Sequence, residues 1–165
     1  MRQPFVFCFL MIIAITSIGE PRRHLPKAKP AHAPAAPPIL DHSGTAKRGK
    51  ASFYGKEFYG KKMADGTRMN PNAHVAASRT LPLGTKVEVK NLHNGKTALV
   101  VIRDRGPFVE GRIIDLSPKT ADILGMRQQG VVPVEVRPLE VPQADGAVKR
   151  GVAASGQRSW LTSGE

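Results

Sequence analysis

Residues 86–102 constrain the fold more than any other stretch of the chain. Val87 and Val89 alternate with Lys86, Glu88 and Lys90, the period of two that places apolar side chains on one face of a half-buried strand. His93-Asn94-Gly95 follows and reads as a tight turn, because an Asn-Gly pair accepts positive φ at both central positions. Ala98-Leu99-Val100-Val101-Ile102 then runs without a polar residue, which predicts a strand buried on both faces. Together these segments predict an antiparallel hairpin. Ile113 and Ile114 mark another short strand, and Val132, Val134 and Val136 alternate in a further one, which Pro133 places near an edge or a bulge. A helix is expected with Ser117 as N-cap, Pro118 at its first position, Gly125 as its stop, and an apolar side made of Ala121 and Leu124. Six or so short strands and one helix in about 90 residues predict a small closed barrel, since closure removes exposed strand edges.

The segments on either side read differently. Arg2 is followed by Phe5 to Ile15, apolar throughout, and then by Ser17-Ile18-Gly19. A basic start, a short apolar run and a small-x-small site make residues 1–19 a signal peptide, too short to span a bilayer of about 20 residues' width. Cys8, the one cysteine, lies inside that run, so its removal leaves no thiol for a disulfide, a metal or a nucleophile. The expectation is an exported protein without a lipid anchor, periplasmic or associated with the cell wall. Residues 20–46 carry Pro21, Pro26, Pro30, Pro34, Pro37 and Pro38 among Ala, Lys and His and read as an extended linker. Residues 140–165 turn to Gly, Ala, Ser and Gln and read as a disordered tail, leaving 47–139 as the domain. The formal net charge of +12, from 25 Lys and Arg against 13 Asp and Glu, attracts polyanions: nucleic acid, anionic lipid, or a wall polymer with carboxylates. Export makes nucleic acid the least accessible of these.

Several blocks occur in a fixed order: Ala51-Ser52-Phe53-Tyr54-Gly55, Phe58-Tyr59-Gly60-Lys61, Met63-Ala64-Asp65-Gly66, Ala76 to Thr85, Asn91 to Gly95, Asp104-Arg105-Gly106-Pro107-Phe108 and Arg112 to Ser117. The series resembles the rare lipoprotein A family over about 90 of the 165 residues. That resemblance implies a mainly β fold: a six-stranded double-psi β-barrel with one or two short helices, flanked by disordered segments. It also implies a lytic transglycosylase that acts on peptidoglycan glycan strands lacking stem peptides and leaves 1,6-anhydro-muramyl ends. The rival reading is an expansin-like module that binds glycan without cutting it. No cofactor, metal or nucleic-acid partner is expected, and the domain is expected to act as a monomer. The histidines show no ligand spacing, and no Gly-rich phosphate loop follows a strand and opens a helix.

Lytic cleavage needs an acid that protonates the glycosidic oxygen and a base that takes the proton from the sugar's own 6-hydroxyl. A single carboxyl serves both steps when its pKa lies near the working pH. Asp104 follows the most apolar strand, precedes a turn, and falls on the family's Asp position, which makes it the catalytic candidate; pairing with Arg103 or Arg105 is its structural alternative. The resemblance also implies a Glu and a His at positions held here by Thr67 and Ser78, whose hydroxyls can only hydrogen-bond a sugar. Asp65 supplies either a substitute carboxylate or a turn. Asp115 is either a second carboxylate of the groove or a residue of the helix start. Tyr59 is preferred over Tyr54 and Phe58 as a ring to stack on sugar, Arg105 joins the substrate-binding set, and His74 fits an exposed loop.

Overall fold

A computed structural model of the chain describes residues 39–157. The signal segment, Cys8, most of the linker and residues 158–165 lie outside the described residues. The elements in chain order are β1 (Lys47–Phe53), a single 3-10 turn (Lys56–Phe58), β2 (Val75–Ala77), β3 (Lys86–Asn91), β4 (Thr97–Asp104), β5 (Arg112–Leu116), α1 (Pro118–Ile123), β6 (Val132–Pro142), β7 (Val148–Arg150) and α2 (Val152–Gln157).

Six strands close on themselves in the order β1-β5-β2-β4-β3-β6, with β6 pairing back to β1. Two of the pairings are parallel, β1 with β5 and β2 with β4, and the rest are antiparallel. This is the double-psi barrel expected. Parallel neighbours cannot be joined by a hairpin, so the chain crosses the barrel between them; α1 lies on a different connection, from β5 towards β6. The strand interiors alternate as period two requires: Val87 and Val89 on β3, Val100 and Ile102 on β4, Ile114 and Leu116 on β5, and Val132 and Val134 on β6 are at most 2 % exposed. Each such side chain stabilises the fold by roughly 1.5–3 kcal/mol through removal from water. Leu124 and Met126 close the core from the helix side.

Four expectations need correction. The apolar run of β4 is not buried on both faces: Ala98, Val100 and Ile102 face inward, whereas Leu99 is 53 % exposed. A barrel wall has one interior, so the outward residues line a shallow, mostly apolar hollow with His74, Lys86, Ile123 and Leu139. The hairpin is present, with β3 and β4 paired from Lys86↔Val101 to Lys90↔Thr97, but its turn is longer than an Asn-Gly pair. Asn91 N–H donates to Lys96 O, Gly95 N–H donates to Asn91 O, and Gly95 alone takes positive φ, +74°. Of the two places expected for Pro133, the edge is wrong, since β6 pairs with β1 and β3 on its two sides, whereas the bulge holds: its β1 partner Lys50 stands at the register shift between Lys50 and Ala51. Pro133 is tolerated as the second residue of β6, beyond the last β3 partner, Asn91↔Val134.

The fourth correction concerns the ends. Residues 140–157 are ordered: β6 runs to Pro142, β7 pairs with it, and α2 follows, with Val141 fully buried and Ala153 5 % exposed. The chain before β1 is tied down too. Asp41 N–H donates to Thr80 O, Asp41 forms an ion pair with Lys47 at 2.7 Å, and Val152 N–H donates to Gly44 O. A Cβ on Gly151 would lie 2.2 Å from Pro138 O; only glycine fits where the C-terminal segment crosses β6.

The helix follows its sequence signals closely. Ser117 Oγ accepts from Thr120 N–H, Pro118 opens α1, and Gly125 ends it at φ +64°. Its last carbonyls are held from the hairpin: Asn91 Nδ2 and Asn94 Nδ2 both donate to Leu124 O at 3.0 Å.

Candidate functional site

Asp104 is the last residue of β4 and Asp115 the fourth of β5. Both strands flank β2, and both aspartates take Ala77 as their register partner. With neighbouring strands 4.7–4.9 Å apart, this sets the two Cα atoms roughly 10 Å from each other across one small residue. The register of β2 on β4 shifts between Ala76 and Ala77, and such an irregularity re-aims side chains beside it. Both carboxylates line one groove of about 400 Å³, with Ala77, Tyr54, Phe58 and Phe108 also on its walls. That volume lies within the usual range of small-ligand sites.

The two carboxylates have different surroundings. Asp104 accepts three hydrogen bonds: from Tyr54 OH at 3.0 Å, Ala64 N–H at 2.9 Å and Arg105 N–H at 2.8 Å. It is thereby fixed in place as an acceptor. Tyr54 is buried, and burial followed by the neighbouring Asp104 pushes its phenol well above its ordinary pKa, so it stays a donor. Asp115 accepts from Ser52 Oγ, while Arg112 Nη1 donates to the same hydroxyl at 3.3 Å. Burial raises the Asp115 carboxyl above the ordinary carboxylate range, and the Ser52 and Arg112 contacts only partly offset it. One groove therefore holds a fixed acceptor and a carboxyl that keeps its proton to higher pH, the pattern by which paired acids divide acid and base roles.

The other residues expected at the site are dispersed. Arg103 and Asp104, adjacent on β4, point to opposite sides of the strand. Arg103 carries Asp65 on its side, as an ion pair at 3.0 Å. Asp65 Oδ1 also accepts from Thr67 N–H and Thr67 Oγ1, and these partners, against a desolvation cost, leave its pKa lowered. Asp65 is thus a turn residue, and Thr67 lines a separate hollow with Arg103 and His74. Ser78 is 2 % exposed, its Oγ accepts from Leu81 N–H, and it does not line the Asp104 groove. Arg105 donates from Nη1 to Ser78 O and Leu81 O; it clamps that turn while edging the groove. Among the rings, Phe58 and Tyr54 line the groove and Tyr59 does not. Phe58 stands edge-on to Tyr54 at 5.7 Å, and Phe108 is 80 % exposed at the rim. His74 is exposed, as a loop histidine. Ser52, Arg112, Phe108 and Glu57 join the groove without having been singled out, although all but Glu57 stand in the ordered blocks.

Among the described residues no group of three or more His, Cys, Asp or Glu is placed to hold a metal ion, and no helix is long and apolar enough to cross a membrane. Comparison with known proteins agrees with the barrel. The chain is 51% identical over 92 residues to "Probable endolytic peptidoglycan transglycosylase RlpA" of Aquifex aeolicus, covering 56% of this chain and 41% of that protein. It is 46% identical over 127 residues to the protein of the same name from Synechocystis sp., covering 72% and 40%, and 48% identical over 99 residues to "Endolytic peptidoglycan transglycosylase RlpA" of Pasteurella multocida, covering 60% and 34%. The chain thus spans about two fifths or less of the length of these relatives. Residues 46–136, more than half of the chain, match the family model described as lytic transglycolase, and the chain belongs to that family.

Proposed function

We propose that this protein is a lytic transglycosylase of the cell wall, cutting peptidoglycan glycan strands that lack stem peptides and leaving 1,6-anhydro-muramyl ends. The observation that carries the proposal is the pair Asp104 and Asp115, set at equal register on either side of Ala77 in one groove. The relatives' names point to the same chemistry.

In this reading the Asp115 carboxyl gives its proton to the glycosidic oxygen as the C1–O bond breaks. Asp104, held by Tyr54, Ala64 and Arg105, takes the proton of the sugar's 6-hydroxyl while O6 bonds to C1, closing the anhydro ring. The proton left on Asp104 and the one lost from Asp115 are rebalanced through solvent after product leaves. Phe58 and Phe108 offer ring faces to the sugars on either side of the bond, and the small side chain of Ala77 leaves the floor open.

One observation favours a second reading, a barrel that binds glycan without cutting it. The positions where the family resemblance implies a Glu and a His hold Thr67 and Ser78, and both hydroxyls are engaged outside the groove. Digestion of purified glycan strands, with analysis for 1,6-anhydro ends, separates the two. The wild type is expected to release anhydro products and Asp104→Asn to lose about 10²–10⁴-fold in rate while keeping its fold. Wild-type protein that sediments with glycan and releases no anhydro product leaves the binding reading standing.

A further inference from the structure

The geometry points to a cationic rim beside the groove, formed by Lys56, Lys61 and Lys62, that recognises ionised carboxylates carried on the glycan strand. This rests on the reading of the groove as a glycan site and adds to it the charge of the strand. Lys62 and Arg68 face each other in an isolated antiparallel bridge, and Arg68 Nη1 donates to Gly60 O, so residues 60–69 form a tied flap rather than a loose loop. Met69 N–H donates to Lys61 O and Gly60 N–H to Met69 O, and Met63 and Met69 are buried beneath it.

The flap meets the site at two points. Ala64 N–H donates to Asp104 Oδ1 at 2.9 Å, two residues from Lys62. Lys61 Nζ lies 5.4 Å from the ring centroid of Phe58, which lines the groove, a distance at which a cation is held over an aromatic face. The two carboxylates of this segment do not neutralise the rim. Asp65 is bound to Arg103, and Glu57, whose carboxylate lies against Gly55 on the groove wall, forms none of the ion pairs among the described residues. Among the described residues, six ion pairs take up cations elsewhere, and none includes Lys56, Lys61 or Lys62. All three of these side chains belong to exposed residues. A strand that crosses the groove past Phe58 passes Lys61, with Lys56 and Lys62 close to it in the chain. Within a Debye length, about 8 Å at physiological salt, they attract an anionic strand and repel a cationic one.

The test compares purified glycan strands with the same strands whose carboxylates have been converted to methylamides, which keeps the sugars and removes the charge. Binding is measured by sedimentation and cutting by anhydro-end release, for the wild type, for Lys61→Gln/Lys62→Gln, and for Lys149→Gln/Arg150→Gln, which loses the same charge on β7. The wild type is expected to bind native strands about threefold to tenfold more tightly than amidated ones at low salt, a margin that shrinks as salt rises. The Lys61/Lys62 variant is expected to lose that preference through KM with kcat retained, and the β7 variant to keep it. Equal binding of the two strands by the wild type, or equal loss in both variants, overturns the rim as a recognition surface. Failure of every form to release anhydro ends overturns the lytic reading instead, and the binding preference then still decides the rim.

Discussion

Asp104 and Asp115 sit in the same groove, yet their surroundings differ: Asp104 accepts from Tyr54, Ala64 and Arg105, whereas Asp115 is half-buried and meets Ser52. Burial raises the Asp115 carboxyl, so it is the group that retains a proton above the range where an ordinary carboxyl has lost it. As a proton donor it is active below its raised pKa, and the rate is expected to fall as pH climbs through that value. In Asp115→Asn that limb is expected to vanish together with about 10²–10⁴-fold of the rate, whereas Asp115→Glu keeps a limb at a shifted position. The same burial has a consequence for stability. The native state binds this proton more tightly than the unfolded chain, so its contribution is complete at acid pH and is lost as pH rises through the raised value. Melting temperatures at pH 4 and pH 7 are therefore expected to drop less for Asp115→Asn than for the wild type. A pH–rate profile unchanged by Asp115→Asn would remove Asp115 from the chemistry. Asp104 was legible in the sequence because it ends the most apolar strand and opens a turn. The partnership of Asp115 with Ser52, 63 residues away, was not legible, because register between distant parallel strands leaves no local trace. Thr67 and Ser78 were marked by the family resemblance alone, and their local hydrogen bonds show that a resemblance does not tell on which side of a wall a hydroxyl lies.

At the scale of elements, the β3–β4 hairpin joins the barrel to the helix. Gly95 adopts φ +74° with no atom within 4 Å of the place a Cβ would occupy. Substitution there costs backbone strain rather than collision, so Gly95→Val is expected to destabilise by roughly 1–2 kcal/mol. For a domain near 100 residues this lowers Tm by several degrees, about 4–8 °C per kcal/mol. Gly95→Asn is expected to lose much less, since Asn tolerates the left-handed region, and equal melting of Gly95→Val and wild type would exclude the turn geometry. The hairpin, the helix and its caps were all readable, because each is written in neighbouring residues. The turn type was not. Asn94 uses its side chain to accept from Lys96 N–H and to donate to Leu124 O, and that tertiary demand sets a longer loop than the Asn-Gly pair alone suggests. The burial of β4 departs from its apolar run for a related reason: five consecutive apolar residues look the same whether their second face meets a core or, as with Leu99, a shallow hollow.

For the molecule as a whole, the barrel is held shut by its ends. Composition marks residues 140–165 as unstructured because they turn to Gly, Ala, Ser and Gln, yet small residues are what a close crossing needs. Gly151 passes over Pro138 where no Cβ fits, its N–H donates to Leu139 O, and Val152 N–H donates to Gly44 O. Val141 and Ala153 are buried beneath this clasp. The N-terminal arm completes it through Asp41, whose carboxyl is lowered to about 2, chiefly by its hydrogen bonds from Lys47 and Ser43, and which is therefore charged whenever the protein is near neutral pH. A fragment limited to residues 47–139 keeps all six barrel strands in part but loses the buried Val141, the Asp41 pair and these backbone hydrogen bonds. One buried valine and two or three hydrogen bonds amount to roughly 3 kcal/mol or more, a large part of the stability of a small domain. Thermal unfolding is thus expected to begin well below that of residues 39–157. Gly151→Ala tests the same clasp without truncation. Its Cβ has backbone rather than a flexible side chain to displace, so the crossing must open, and the variant is expected to melt several degrees below wild type. If both the short fragment and Gly151→Ala melt with the parent, the ends only lie against the barrel and do not close it.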